Sequence, residues 1–352
     1  MMQHCPHLQQ FVYTPLCPHG NYYEVNNSNC NFMEIALTME FHRFFYIDDT
    51  DEHFAVSAQL TAQWRVPCHD FQTDTEEMTF RIDEGHTWAP NLLHINAVDD
   101  LTMESKYGRF YAMKRTGDGS SMVRFYWQKI GTFKSQCNLI FLQFPFDQQQ
   151  CTIQILLKES SLVANLKVST TSSSHSFGTD GQIPIDMVSD SSDWELVEIF
   201  FNDSIENIYN SNRSVGTFTL NFKRKADFYI FTLILPCLLL SSLSLTAFAI
   251  DPKESDRVML CLTLLLSLIV IHSDVSQHIP PVPQRNLLSN YADLSILHSW
   301  IIIIYFSCMI FASNNSQWVK NNRKPIEIIA LFWFSLQIIA INFYLFSMAF
   351  TP

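Results

Sequence analysis

Basic charge is scarce in this sequence. Its 352 residues carry 22 Lys and Arg against 34 Asp and Glu, a net charge of −12, and so acidic a chain is a poor partner for nucleic acid. Charge of either sign is missing altogether from Phe228 to Ala249. No apolar signal region follows "MMQH" at the N-terminus, where a signal peptide is expected to have been trimmed or replaced. The polar part of the chain shows no pairing of a nucleophile with a base. No enzyme activity, no catalytic residue and no cofactor is therefore expected.

Long apolar segments, by contrast, are plentiful. After Phe228–Ala249 comes Val258–Ile271, interrupted only by the hydroxyls of Thr263 and Ser267. Leu294–Ala312 follows, and then Ile326–Phe350, whose one charge is Glu327. Three of the four approach or exceed the roughly 20 residues that cross a bilayer. The second reaches that length only with the polar residues at its C-terminal end. Four membrane helices are predicted, over about 226–250, 255–278, 288–312 and 325–350. Residues before 227 are polar and aromatic-rich, with alternating runs such as "EIALTMEFHRFFYI" that mark half-buried strands. The expected organisation is an N-terminal extension over 1–33, a β domain over 34–225 and a membrane domain over 226–350 with a short cytoplasmic linker at 313–324.

That linker holds Lys320, Arg323 and Lys324 and no acid, which places it in the cytoplasm and both chain termini outside a plasma membrane. Cysteine usage agrees. Cys5, Cys17, Cys30, Cys68, Cys137 and Cys151 fall in the polar part, an even number suited to an oxidising compartment. Cys237, Cys261 and Cys308 fall in the apolar segments and are expected to be free. "CPH" occurs twice, at Cys5 and at Cys17. Two Cys and two His could hold zinc, but two disulfides among Cys5, Cys17, Cys30 and Cys68 are the expectation, with all three pairings open and no metal.

Cys137 and Cys151 enclose "NLIFLQFPFDQQQ". Two cysteines with thirteen residues between them and Phe-Pro-Phe-Asp inside resemble the signature loop of the Cys-loop receptors, the pentameric ligand-gated ion channels. "WAPNLLHINA" from Trp88, "DWELV" from Asp193, "LPC" from Leu235 and "DRVMLCLTLLLSLIV" from Asp256 resemble further family segments and occur in the family's order. The resemblance implies an immunoglobulin-like extracellular β-sandwich of about ten strands, a transmembrane four-helix bundle and assembly into a pentamer of identical or homologous subunits. It implies a Cys137–Cys151 disulfide, which for a loop of this size contributes about 3 kcal/mol by restricting the unfolded chain.

The resemblance also places the second membrane helix on the pore. Steps of three and four from Asp256 put Met259, Thr263, Leu266, Val270, Asp274 and Gln277 on one helical face. Asp256 with Glu254 forms an acidic selectivity ring at the cytoplasmic mouth, and Asp274 forms a second acidic ring. Leu266 and Val270 form apolar rings that gate by dewetting. The Pro-Ala insertion usual in the family's anion channels is missing from "ESDR", so permeant cations are expected. Acids at a helix N-terminus are also favoured by the helix dipole, but that does not account for Asp274. Met259, where a small polar residue is common, would narrow the pore or simply fill space.

In the family a box of aromatic side chains between subunits grips a cationic agonist. Here the corresponding positions are Ile95, Lys158 and, on the opposing face, Gln59. The hairpin after Trp194 keeps Tyr209, has Arg213 where a second tyrosine is common, and lacks the adjacent cysteine pair of acetylcholine-receptor α-type subunits. Lys158 and Arg213 would repel an ammonium ion if they faced the pocket. A small-molecule ligand other than the conventional amines is expected. Asn26, Asn202 and Asn212 open glycosylation acceptor sequences.

Coupling of pocket to pore is expected where three segments meet the membrane domain and its lipid. They are the loop with Asp51 and Glu52, the tip Phe144, Pro145, Phe146 and Asp147, and the segment with Pro280 and Pro283. Lys223, Arg224 and Lys225, just before the first membrane helix, are the basic partners offered to these acids. The leading reading is a cation-selective ligand-gated channel. Two others stand beside it: a proton-modulated channel, since the acidic excess and twelve histidines supply titratable groups, and a non-conducting surface binding protein with its pore closed at Met259 and Leu266.

Overall fold

A computed structural model describes residues 33–67, 77–81, 89–98, 109–115, 122–168, 188–189, 193–208, 210–250, 256–276 and 286–349. The chain divides into two compact units. One comprises Met1–Asn138 with Gln149–Phe222, and the other Leu139–Gln148 with Lys223–Pro352.

The first unit is built of strands: β1 (Met33–Asp48), β2 (His53–Pro67), β3 (Glu77–Arg81), β4 (Leu92–His94), β5 (Arg109–Arg115), β6 (Met122–Gln136), β7 (Gln148–Ser160), β8 (Ala164–Val168), β9 (Val188–Ser189), β10 (Trp194–Ile208) and β11 (Ser211–Arg224). One sheet runs in the order β3-β5-β6-β2-β1-β8, with β9 also on β1, and the other in the order β10-β11-β7-β4. The strand β2 shows why. Leu60, Ala62 and Trp64 are buried while the intervening Gln59, Thr61 and Gln63 are half-buried, as a two-residue period on a one-sided surface requires. The apolar faces of the two sheets meet in the core, where Phe44 of β1 and Phe54 of β2 contact Phe222 of β11 with ring centroids 4.7 and 5.9 Å apart. A Cβ on Gly216 of β11 would lie 2.9 Å from both Leu37 Cδ2 and Val168 Cγ2, so those methyl groups would have to shift to admit it.

The β1–β2 hairpin closes on Asp48, whose Oδ1 accepts from Thr50 N at 2.9 Å, Thr50 Oγ1 at 2.6 Å and Asp51 N at 3.1 Å. The Thr50 hydroxyl and the Asp51 N–H hold the Asp48 carboxyl below its ordinary pKa. Glu52 completes the turn with a φ of 49°, the left-handed region that a tight turn demands of a residue with a side chain.

The second unit is helical. Helix α1 spans Asp227–Ala249, α2 Asp256–Ser276, α3 Leu287–Asn315, α4 Gln317–Asn321 and α5 Arg323–Ala349. Four of these are long and apolar enough to cross a membrane. The stretch expected as a linker, 313–324, is itself mostly helical: α3 runs on to Asn315 and α5 begins at Arg323. Helix α1 widens into a π-turn over Ile230–Ile234, just ahead of Pro236. Proline has no N–H to give and its ring crowds the carbonyl four residues earlier, so the helix opens there.

Candidate functional site

The tip of the Cys137–Cys151 loop packs with the helices. Cys137 and Cys151 are joined by a disulfide with Cα atoms 5.0 Å apart, and the residues between them leave the sheets. Phe141 and Phe144 enter a core with Leu233 and Cys237 of α1, Leu268 of α2, Leu287, Leu288 and Tyr291 of α3, and Leu345 of α5. The loop backbone also completes α3. The first N–H groups of a helix have no partner within it. Here Leu287 N donates to Leu142 O at 3.0 Å and Leu288 N to Phe144 O at 3.2 Å. Ser289 N donates to the side chain of Asn286, the N-cap, at 2.7 Å. No side-chain pattern announces the two backbone caps, and sequence reasoning missed them.

Behind the tip, Asp147 and Arg224 are brought together as expected. Arg224 Nε donates to Asp147 Oδ1 at 2.9 Å and Nη2 to Oδ2 at 3.4 Å, with the side chains 2% and 3% exposed. The guanidinium also lies 4.8 Å from the Phe144 ring centroid, within cation–π range. Phe146 packs at the edge of the same core, and Pro145 is buried. Asp51 and Glu52 are exposed residues of the β unit, where Glu52 O accepts from Cys137 N at 2.8 Å.

Helix α2 presents the predicted stripe to the outside of the bundle. Asp256, Thr263 and Asp274 are exposed, and Met259, Leu266 and Val270 are 64, 62 and 59% exposed. The opposite face, Arg257, Cys261, Leu264 and Leu268, is 6% exposed or less. Its steps of four, three and four match one buried side of a helix. Apolar side chains are exposed on the other long helices too, among them Phe231, Phe311 and Phe332, as lipid-facing helices allow; what sets this stripe apart is that it also carries Asp256, Thr263 and Asp274. Thr263 Oγ1 donates to Leu260 O at 2.7 Å, so its proton is engaged and its oxygen remains an acceptor on the exposed side.

The pocket candidates divide between the sheets. Gln59 lies on β2, paired with Glu40 and Ile130. Ile95, Lys158 and Arg213 belong with the other sheet. Ile95 N donates to Gln154 O at 3.0 Å, Lys158 N to Asn91 O at 2.9 Å, and Ser161 N to Asn212 O at 2.9 Å, which brings the Lys158 end of β7 beside Arg213. Arg213 Nε donates to Ser211 Oγ at 2.9 Å. Sequence reasoning missed Glu159 here. Burial raises its pKa, while its own and Asn91's backbone N–H, Lys158 and Arg213 act against that rise. The site thus combines two basic side chains and one carboxyl. Also unforeseen is His94 of β4, whose Nε2 lies 2.8 Å from the Ser135 hydroxyl of β6 across the core. Burial pushes its pKa down to about 4, against a hydrogen bond with Asn96 and with a small contribution from Lys129.

Asn202 and Asn212 are exposed. Cys5, Cys17, Cys30, Cys68, Asn26, Tyr209, Glu254, Gln277, Pro280 and Pro283 lie outside the described residues.

Comparison with known proteins agrees with this geometry. Residues 19–226 match the neurotransmitter-gated ion-channel ligand binding domain, and residues 233–318 match the neurotransmitter-gated ion-channel transmembrane region. Among similar proteins are the neuronal acetylcholine receptor subunit beta-2 of Carassius auratus, 24% identical over 81% of this chain and 61% of its own length; the beta-4 subunit of Gallus gallus, 25% identical over 84% and 61%; and the acetylcholine receptor subunit beta-type acr-3 of Caenorhabditis elegans, 23% identical over 80% and 54%. The chain thus spans between about half and three-fifths of these relatives' length. Four apolar helices and this kinship mark a multi-pass plasma-membrane protein whose β unit is extracellular. Its β-sandwich, its disulfide-closed loop and its four membrane helices, taken with both family matches, place the chain in the neurotransmitter-gated ion-channel family, the Cys-loop receptors.

Proposed function

We propose that this chain is a subunit of a pentameric, cation-selective, ligand-gated channel whose agonist is not a conventional amine. The observation that carries the reading is the two-sided α2. Asp256, Met259, Thr263, Leu266, Val270 and Asp274 are exposed along one side, while the cation adjacent to Asp256, Arg257, is turned into the bundle and 2% exposed. Ringed around a lumen, these residues give carboxylates at both ends, which select by sign, and apolar constrictions between, which gate by dewetting.

The ligand reading rests on Lys158, Glu159 and Arg213. Two cations and one carboxyl around the β7–β11 edge suit an anionic or zwitterionic molecule better than an ammonium ion. Within this reading the extracellular part is 34–225, the membrane part 226–350, and Asn202 and Asn212 are the exposed acceptors for glycans.

Expression in oocytes with Leu266→Thr, which hydrates the apolar ring, tests the channel. Current is expected without added agonist, and its reversal potential should follow sodium. A reversal potential that follows chloride would overturn cation selectivity. Silence despite surface labelling would overturn conduction.

A further inference from the structure

Arg257 touches every long helix of the bundle. It sits in the first turn of α2. Its Nε donates to Ile250 O at 2.8 Å, and its Nη2 to Ile250 O and, at 3.3 Å, to Phe248 O. Phe248 belongs to the last turn of α1 and Ile250 lies one residue past it, where carbonyls have no partner within the helix. The guanidinium stands 5.5 Å from the ring centroid of Phe306 on α3. Its Nη1 donates to Glu327 Oε1 on α5 at 2.8 Å, and Arg323 Nε reaches the same oxygen at 2.9 Å. Glu327 is thus the carboxylate that balances a guanidinium buried at the base of the pore helix.

We propose that Glu327, on α5 rather than on the helix that carries the stripe, is a positioning residue for ion selectivity: its carboxylate holds the Arg257 guanidinium inside the bundle and leaves the Asp256 ring uncompensated. The inference rests on the cation-pore reading and deepens it. Asp256 and Arg257 are consecutive, about 100° apart on the helix, and an arginine arm from that position reaches either the bundle interior or the pore mouth. A buried guanidinium stripped of its counter-charge is strongly unfavourable. With Glu327 neutral, the helix-end carbonyls supply only partial charge, and the acid next in sequence is Asp256. A guanidinium that leaves the interior moves toward that carboxylate, and a ring of matched pairs no longer selects by sign. Arg323 sharpens the dependence, because one carboxylate oxygen already serves two cations.

Recordings in the Leu266→Thr background test the proposal. Glu327→Gln is expected to shift the reversal potential toward chloride and to lower single-channel conductance roughly two-fold or more. Adding Arg257→Gln to Glu327→Gln should restore cation selectivity, a rescue that a merely structural Glu327 would not show. Unchanged selectivity in the single variant, or no recovery in the double, overturns the inference. If the parent with Glu327 intact follows chloride, it is the cation-pore reading that fails.

A second measurement needs no current. In purified protein carrying Cys308→Ser and Met259→Cys, the rates of modification by cationic and anionic methanethiosulfonate reagents report the potential at the pore base. Glu327→Gln should lower the cationic-to-anionic rate ratio several-fold. Glu327→Asp, which keeps the charge on a shorter arm, should lower it less. A ratio that neither variant moves overturns the inference.

Discussion

The carboxylate of Asp147 and the guanidinium of Arg224, 77 residues apart, form a two-pronged hydrogen-bonded pair almost closed to solvent. It ties the disulfide-loop tip to the residue three positions before α1. Removing one member takes from the other its buried opposite charge, which costs about 3–5 kcal/mol. Asp147→Ala and Arg224→Ala should each lower thermal stability sharply in detergent, and the double variant should lose less than the sum. Additive losses would show that the two do not act as a pair.

The N-cap of α3 gives a smaller and separable effect. Asn286 accepts from Ser289 N, and Asn286→Ala should cost about 1 kcal/mol. Asn286→Asp, which keeps the acceptor, should cost much less. Thermal melting followed by tryptophan fluorescence distinguishes them. Equal losses in the two variants would mean that the side-chain cap contributes nothing.

His94 makes the β unit sensitive to acid. Its folded pKa, about 4, lies below its ordinary value of 6.5 because burial disfavours the charged ring. Between those two values the unfolded chain binds more protons, so stability rises with pH across that window and falls as pH drops from 6.5 toward 4. The loss is on the order of 2–3 kcal/mol. His94→Gln should flatten this part of the stability–pH curve. A curve of unchanged slope would count against the assignment.

A methyl group at Gly216 would press against the side chains of Leu37 and Val168. Gly216→Ala should destabilise the β unit by about 1–3 kcal/mol through overpacking. Gly131, where an added Cβ meets nothing within 4 Å, should tolerate the same change to within about 0.5 kcal/mol. Chemical denaturation of the two variants side by side makes the comparison, and equal losses would refute it.

Much of the architecture is legible in the sequence. The α2 stripe is a local matter: steps of three and four place Asp256, Met259, Thr263, Leu266, Val270 and Asp274 on one face of any helix. All six are exposed, whatever surrounds them. The Cys137–Cys151 loop was legible from two cysteines and the motif between them. The sequence offered Lys223, Arg224 and Lys225 as partners for the loop acids, and folding paired Arg224 with Asp147.

Other features had no local signature. Glu159 is an ordinary acid in sequence, and its raised pKa comes from burial. Capping of Leu287 and Leu288 by the carbonyls of Leu142 and Phe144 is made by backbone alone, which every sequence supplies. His94 reads as one histidine among twelve until Ser135 comes within 2.8 Å across the core.

By itself, then, the sequence determined the membrane spans, the alternating strands and the chemistry of the exposed α2 face, because each depends on the run or the period of residues within a single element. Only the tertiary structure decided which way the charges beside that face turn. Arg257 points inward because the open end of α1 and the carboxylate of Glu327 converge there from separate helices, and a side chain's direction is set by partners that only folding brings within reach.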